Sequence, residues 1–171
     1  MLNWSSTIIL SSSMAYSISG ETLATWRHQA RQDAIAAGIL PQEVDWLLQQ
    51  ITDLDRLSLQ LESFKTRSQI PLTHAPDTLT QLWQRRLQER CPLQYLVGVA
   101  PWRNFTLKVN SAVLIPRPET EYLIDIVVKT LKNSDNNQLS CGNWVDLGTG
   151  SGAIALGLAE VLTEASIYGI D

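Results

Sequence analysis

Histidine and cysteine are scarce in this chain, with only His28, His74, Cys91 and Cys141 among 171 residues. None of the four stands at metal-ligand spacing from another, so a zinc-ribbon or zinc-finger site is excluded and no metal is expected. Two cysteines this far apart make no disulfide framework, which fits a reduced, cytoplasmic setting. The two histidines lack triad partners and suit packing or surface positions better than catalysis. A basic excess is also missing. Thirteen Lys and Arg stand against 17 Asp and Glu, a formal charge of −4, which argues against direct contact with nucleic acid. No apolar run reaches the ~20 residues that a membrane span needs, so no membrane partner is expected. The opening stretch, 1–13, holds Ile8-Ile9-Leu10 among serines but lacks the cationic start of a signal peptide. It is expected to be a disordered or spurious extension, with Met14 as a second candidate start.

What is present is a hydrophobic content of 44%, enough for one large or two small cores. From Ser17 the period is helical. Ser19 suits an N-cap, Leu23, Trp26, Ala30, Ala34 and Ala37 share a face, and Gly38 can end the helix. Pro41 fits the first position of a second helix, with Glu43 and Asp45 near its positive end and Val44, Leu47, Leu48, Ile51 and Leu54 as its apolar stripe. The stretch 57–64 fits either helix or extended chain, and 71–76 reads as a loop. Asp77 opens another helix through Leu79, Leu82, Trp83 and Leu87, which stops near Cys91-Pro92. Residues 14–92 therefore read as a small helical bundle, with Trp26, Trp46 and Trp83 as core. Its cations, Lys65, Arg67, Arg85, Arg86 and Arg90, fit solvated helix faces or a surface that steers an acidic partner.

After Pro92 the period changes. Phe105, Leu107 and Val109 alternate with polar residues, Asn110-Ser111 suits a turn, and Val113-Leu114-Ile115 returns, so 93–115 reads as a β-hairpin linker. Trp102 and Phe105 could pack the hairpin or face a substrate. Pro116-Arg117-Pro118 then opens a helix with Glu119 and Glu121 in its first turn and Leu123, Ile126, Val127 and Leu131 as its buried face. A polar loop, 133–142, precedes the most informative stretch.

That stretch is Trp144-Val145-Asp146-Leu147-Gly148-Thr149-Gly150-Ser151-Gly152-Ala153. An apolar strand ends in an acid, three glycines alternate, and Ile154, Ala155, Leu156, Leu158, Ala159 and Leu162 read as a buried helix. A strand, a glycine turn and a helix N-terminus bring backbone within reach of a ligand, and glycine tolerates the positive φ such turns need. A second short strand, 166–171, ends in Asp171, placed to accept hydrogen bonds from ribose hydroxyls. From residues alone two enzyme classes stay open. Gly150-Ser151-Gly152-Ala153-Ile154-Ala155 fits the dinucleotide fingerprint G-x-G-x-x-A. Asp146 favours the other class, because its carboxylate would repel a pyrophosphate at this turn but suits S-adenosylmethionine, whose amino group and sulfonium are positive.

Three stretches together carry a closer likeness: Pro92-Leu93-Gln94-Tyr95-Leu96-Val97-Gly98, then Leu114-Ile115-Pro116-Arg117-Pro118-Glu119-Thr120-Glu121, then Asp146 to Gly152. From about Ser19 onward the chain resembles the release factor glutamine methyltransferases, the HemK/PrmC family. The Ile-Pro-Arg-Pro-Glu-Thr-Glu stretch is the most specific part. The resemblance implies an α + α/β architecture: a helical substrate-docking bundle, a hairpin linker, and over 116–171 the first βαβ of a truncated class I, Rossmann-like methyltransferase domain. It implies methyl transfer from S-adenosylmethionine to the glutamine side-chain amide in the Gly-Gly-Gln motif of class-1 peptide chain release factors, by a monomer. By matching positions, Gly148, Thr149, Gly150, Ser151 and Gly152 would lie under the methionine part of the cofactor. Asp171 would take the ribose hydroxyls, and Asp146 would orient the loop and the amino group. Arg117 to Glu121, with Glu119 and Thr120 between them, would cover the cofactor from the side, the alternative for Arg117, Glu119 and Glu121 being a helix cap with salt bridges. Thr149 and Ser151 could act through backbone alone.

The family's catalytic Asn-Pro-Pro-Tyr does not occur here, so no catalytic residue is assigned. Its logic is that acceptors for both N–H bonds hold a delocalised amide nitrogen in line with the methyl group. At roughly 30 residues per βαβ unit, the remaining strands of the sheet would need well over about a hundred more residues. The chain is therefore expected to be an N-terminal piece of the enzyme that binds cofactor weakly or not at all and does not turn over. Two other readings are a methyltransferase for an exocyclic amine of a nucleic-acid base, and a non-enzymatic helical module that binds release factor.

Overall fold

A computed structural model describes residues 15–133 and 138–171, so the expected extension 1–13, Met14 and part of the 133–142 loop lie outside the described residues. The chain divides into two compact units, Met1–Leu93 and Gln94–Asp171.

The first unit runs β1 (Tyr16–Ile18), α1 (Gly20–Ala36), α2 (Gln42–Ile51), α3 (Arg56–Leu61), a 3₁₀ turn (Ser63–Thr66), β2 (Ile70–Leu72) and α4 (Pro76–Gln88). Ser19 caps α1 by accepting from the Thr22 amide at 3.1 Å, and Gly38, at φ +67°, follows its end. The expected stripe is buried, Val44, Leu47, Leu48 and Ile51 on α2 and Leu54 beyond its end, and Leu79, Leu82 and Trp83 of α4 are also buried. Two local expectations are corrected. Ser17 belongs to a strand, not to the helix, and Pro71 belongs to its partner, not to a loop, paired antiparallel as Tyr16↔Leu72, Ser17↔Pro71 and Ile18↔Ile70. Such a ribbon joins segments far apart in the chain, and local periodicity carries no trace of it. The ambiguous stretch 57–64 is helical, α3 followed by the 3₁₀ turn.

The inward face of α1 is also shifted. Trp26 and Ala37 are only half-buried, whereas Arg27 is buried. Arg27 follows Leu23 by four residues and precedes Ala30 by three, so helix geometry turns it inward. It survives there because Nε and Nη2 donate to Asp45 at 2.7 and 3.0 Å and Nη1 donates to Glu62 at 3.1 Å. The Asp45 carboxylate, with Glu62, holds the guanidinium charge above its ordinary range.

The second unit holds most of α5 (Leu93–Val97), then β3 (Val99–Trp102), β4 (Phe105–Lys108), a 3₁₀ turn (Pro118–Thr120), α6 (Glu121–Lys132), α7 (Gln138–Cys141), β5 (Asn143–Leu147), α8 (Ala153–Val161) and β6 (Ser166–Ile170). A hairpin is present, but its strands differ from the expected ones. Phe105–Lys108 pairs back to Val99–Trp102 around Arg103, which takes a positive φ of 49°. Val113–Ile115 forms no strand, and Asn110 instead turns the chain by accepting from the Ala112 amide at 2.8 Å. Without glycine at the tight turn the usual hairpin signal was missing.

The core of this unit gathers Ala100, Trp102, Leu107, Val109, Ile124, Ala153, Leu158 and Leu162. Trp102 and Phe105 thus pack the hairpin. On α6 the buried residue is Ile124, with Val127 and Leu131 beside it, while Leu123 and Ile126 are exposed against expectation. On α8, Leu156 and Ala159 are likewise exposed and Gly157 is buried. Gly157 lets the two helices meet: a Cβ there would lie 2.9 Å from Ile124 Cδ1 and 3.1 Å from Trp102 Cζ3. Strands β5 and β6 pair in parallel, Asp146 beside Gly169. Among the described residues no helix is long and apolar enough to cross a membrane.

The glycine turn between strand β5 and helix α8

The turn from Leu147 to Ala153 needs three left-handed residues, and Gly148, Gly150 and Gly152 supply them at φ +71°, +52° and +77°. Crowding is not the reason for glycine here. A Cβ on Gly148 or Gly152 would meet nothing within 4 Å, and one on Gly150 only the Gly148 carbonyl oxygen at 4.0 Å. The glycines are therefore demanded by conformation, and the space beside them stays open. Backbone bonds fix the turn to the end of β6, where the Ile170 carbonyl accepts from the Gly148 amide at 2.7 Å and the Thr149 amide at 3.1 Å. The Gly152 amide donates to the Thr149 carbonyl at 2.8 Å and closes the loop.

Both flanking acids join this framework. Asp146 Oδ2 accepts from Thr149 Oγ1 at 2.8 Å and from the Ala155 amide at 3.1 Å. Ala155 is the third residue of α8, whose cap residue Gly152 has no side chain, so Asp146 caps the helix from the neighbouring strand. Asp171 Oδ1 accepts from the Gly150 amide at 2.8 Å and bridges the second strand end to the middle of the turn. Neither acid takes part in an ion pair with any described residue. Two uncompensated carboxylates beside an open turn favour a ligand that carries positive charge and hydroxyl donors.

The remaining candidates divide. Thr149 uses its side chain, on Asp146, while Ser151 enters no side-chain hydrogen bond among the described residues. Arg117 serves through its carbonyl, which accepts from Trp102 Nε1 at 3.2 Å and from the Thr120 amide at 3.0 Å. Glu121 is structural: its Oε1 accepts from the Arg103 amide at 3.2 Å, and its carbonyl accepts from Arg103 Nη1 at 3.3 Å. The side chains of Arg117 and Glu119 are exposed and make no ion pair with described residues. No hydrogen bond joins 117–120 to the glycine turn among the described residues.

One neighbour escaped sequence reasoning. Gly169 lies beside Asp146 on β6, and a Cβ there would sit 2.8 Å from Thr149 Oγ1 and 3.2 Å from its Cβ and Cγ2. A glycine inside an otherwise apolar strand was the available signal of a close approach. Of the five cations singled out in the first unit, four face its own acids, Arg86 with Glu43, Arg85 with Glu89, Arg67 with Asp53 and Lys65 with Glu62, while Arg90 makes no ion pair among the described residues. Among the described residues no three metal-ligating side chains come together.

No protein-family model matches the chain. Individual proteins do. A release factor glutamine methyltransferase of Synechocystis sp. is 50% identical over 155 residues, which is 90% of this chain and 51% of that protein. Those of Gloeobacter violaceus and Thermosynechococcus vestitus are each 42% identical, over 85% and 90% of this chain and 48% and 52% of their own length. The chain thus spans about half the length of the curated relatives it matches. Over the part that it spans, its sequence is similar to those of the release factor glutamine methyltransferases.

Proposed function

We propose that the protein serves transfer of a methyl group from S-adenosylmethionine to the side-chain amide nitrogen of a glutamine, that of the Gly-Gly-Gln motif in class-1 release factors. The observation that carries this reading is the capped N-terminus of α8. A dinucleotide's pyrophosphate would need the free amides and positive dipole end there. Asp146 Oδ2 already holds the Ala155 amide at 3.1 Å and brings a negative charge to that spot. A phosphate would be repelled, whereas an ammonium or sulfonium would be attracted.

The residues of this chain fit the methyl donor in named roles. Gly148, Gly150 and Gly152 leave an open wall of backbone for its methionine part, where any side chain would both strain the turn and fill the space. Asp146 faces it with charge opposite to its amino group. Asp171 holds Gly150 through Oδ1, leaving Oδ2 to accept from a ribose hydroxyl. Arg117, Glu119 and Thr120 remain candidates for covering the site, with Arg117 and Glu119 available because their side chains are not consumed by ion pairs among the described residues. When bound, the cofactor supplies an electrophilic methyl group on sulfur. The acceptor amide still needs two hydrogen-bond acceptors to hold it, a task that falls to Asn-Pro-Pro-Tyr in the family and to nothing in these 171 residues.

The test is transfer of radiolabelled methyl from S-adenosylmethionine to a class-1 release factor, with a Gly-Gly-Glu variant as control. Protein carried to the full length of its relatives labels the glutamine, and the purified 171-residue chain labels nothing. Label appearing on nucleic acid and not on the release factor would refute the assignment, and turnover by the 171-residue chain would refute its expected inactivity.

A further inference from the structure

We infer that Thr149 is a positioning residue whose hydroxyl, not its bulk, holds Asp146 over the first turn of α8 and leaves the second carboxylate oxygen to a ligand's cation. The inference rests on the reading of the site given above. Two independent observations point to it. Thr149 Oγ1 donates to the same oxygen, Oδ2, that accepts from the Ala155 amide, at 2.8 and 3.1 Å. Oδ1 has no hydrogen-bond partner among the described residues. A carboxylate with one anchor can rotate about its χ2 torsion, which is broad. A second anchor on the same oxygen removes that freedom, so the free oxygen is presented in one direction. The other observation is the space made for this contact. Gly169, beside Asp146 in the parallel pair, has no Cβ where one would stand 2.8 Å from Thr149 Oγ1. Strand β6 thus yields a side chain so that the threonine can lie across it.

A hydroxyl role and a packing role separate in the isosteric pair Thr149→Val and Thr149→Ser. Valine keeps the branched shape over Gly169 and loses the donor, whereas serine keeps the donor and loses a methyl group. Amide hydrogen exchange of the 171-residue chain is read at Ala155, with the Leu162 amide at the far end of α8 as internal reference, bonded to the Leu158 carbonyl at 2.8 Å. Thr149→Val is expected to lower protection at Ala155 about tenfold relative to Leu162, since a hydrogen bond to a charged acceptor is among the stronger ones. Thr149→Ser is expected to stay within about twofold of the wild type. Equal protection at Ala155 in valine and wild-type chains would overturn the inference, as would parallel loss at both amides. Titrating S-adenosylhomocysteine into the full-length wild type reports on the site itself: shifts of the turn amides support the cofactor reading, and their absence overturns that reading while the exchange data still judge Thr149.

Discussion

Leu47 and Leu147 mark the difference between the two units. Leu47 on α2 is fully buried, and so are Val44, Leu48 and Ile51 of that helix and Leu54 just beyond it. Leu147 ends β5 at 76% exposed, and Val145, Tyr168 and Ile170 on the same outer face are all at least half exposed. The first unit closes its core with its own helices and pairs most of its cations with its own acids. The second unit carries strands with apolar residues on both faces, as in a sheet covered on both sides, yet among the described residues the outer face of β5 and β6 is exposed. An apolar pattern therefore reports the surroundings for which a strand was selected, and burial reports those it has. Ligand chemistry collects in the second unit, where backbone and carboxylates are held in place but left open.

Substitutions can break or sharpen this contrast. The largest effect is expected for Gly20→Ala at the start of α1. A Cβ there would fall 2.0 Å from the Phe64 carbonyl oxygen and 2.8 Å from that of Lys65, both backbone atoms that cannot swing aside. A loss of about 3 kcal/mol or more in the first unit is expected, read as a lowered urea midpoint by far-ultraviolet circular dichroism. Next comes the matched leucine pair. Leu47→Ala should cost about 2–5 kcal/mol, and Leu147→Ala no more than about 0.5 kcal/mol. Equal costs by thermal unfolding would mean that the outer face of β5 is covered in solution.

The smallest effect concerns acid. Asp55 caps α3 by accepting from the Ser58 amide at 2.7 Å, and hydrogen bonding to Ser58 holds its carboxyl below the usual range. Glu62 is held below its usual value first by the hydrogen bond from Lys65 and also by Arg27. Carboxyls depressed in the folded state add stability above their unfolded pKa, near 4, and that stability fades as pH falls through the folded values. Unfolding midpoints measured from pH 6 down to pH 2 should decline below about pH 4. Replacing Asp55 with Asn should flatten the decline slightly, because the cap is exposed.

The helix stripes were legible because each depends on spacing within a single segment, as from Val44 to Leu54 or from Leu79 to Trp83. The β5–turn–α8–β6 order was legible for a similar reason: three glycines and two strand-end acids are local chemistry. What escaped was tertiary. Tyr16–Ile18 meets Ile70–Leu72 across the helices that separate them in the chain, and nothing in either triplet names the other. Arg27 was missed as a core residue because its two acid partners, Asp45 and Glu62, lie far along the chain. The hairpin was placed one strand too late because Arg103 makes its turn without glycine. At the site, Asp146 was found but its work as a helix cap was not, since that needs the Ala155 amide to come back over the strand end.

The central claim is that this turn repels phosphate and receives a cationic nucleoside, and equilibrium binding measures it directly. Protein carried to the length of its relatives would be titrated, in one buffer, with S-adenosylmethionine and with a nicotinamide dinucleotide. Saturable binding of the methyl donor with no response to the dinucleotide is the predicted result; saturable binding of the dinucleotide with none of the methyl donor would contradict the account.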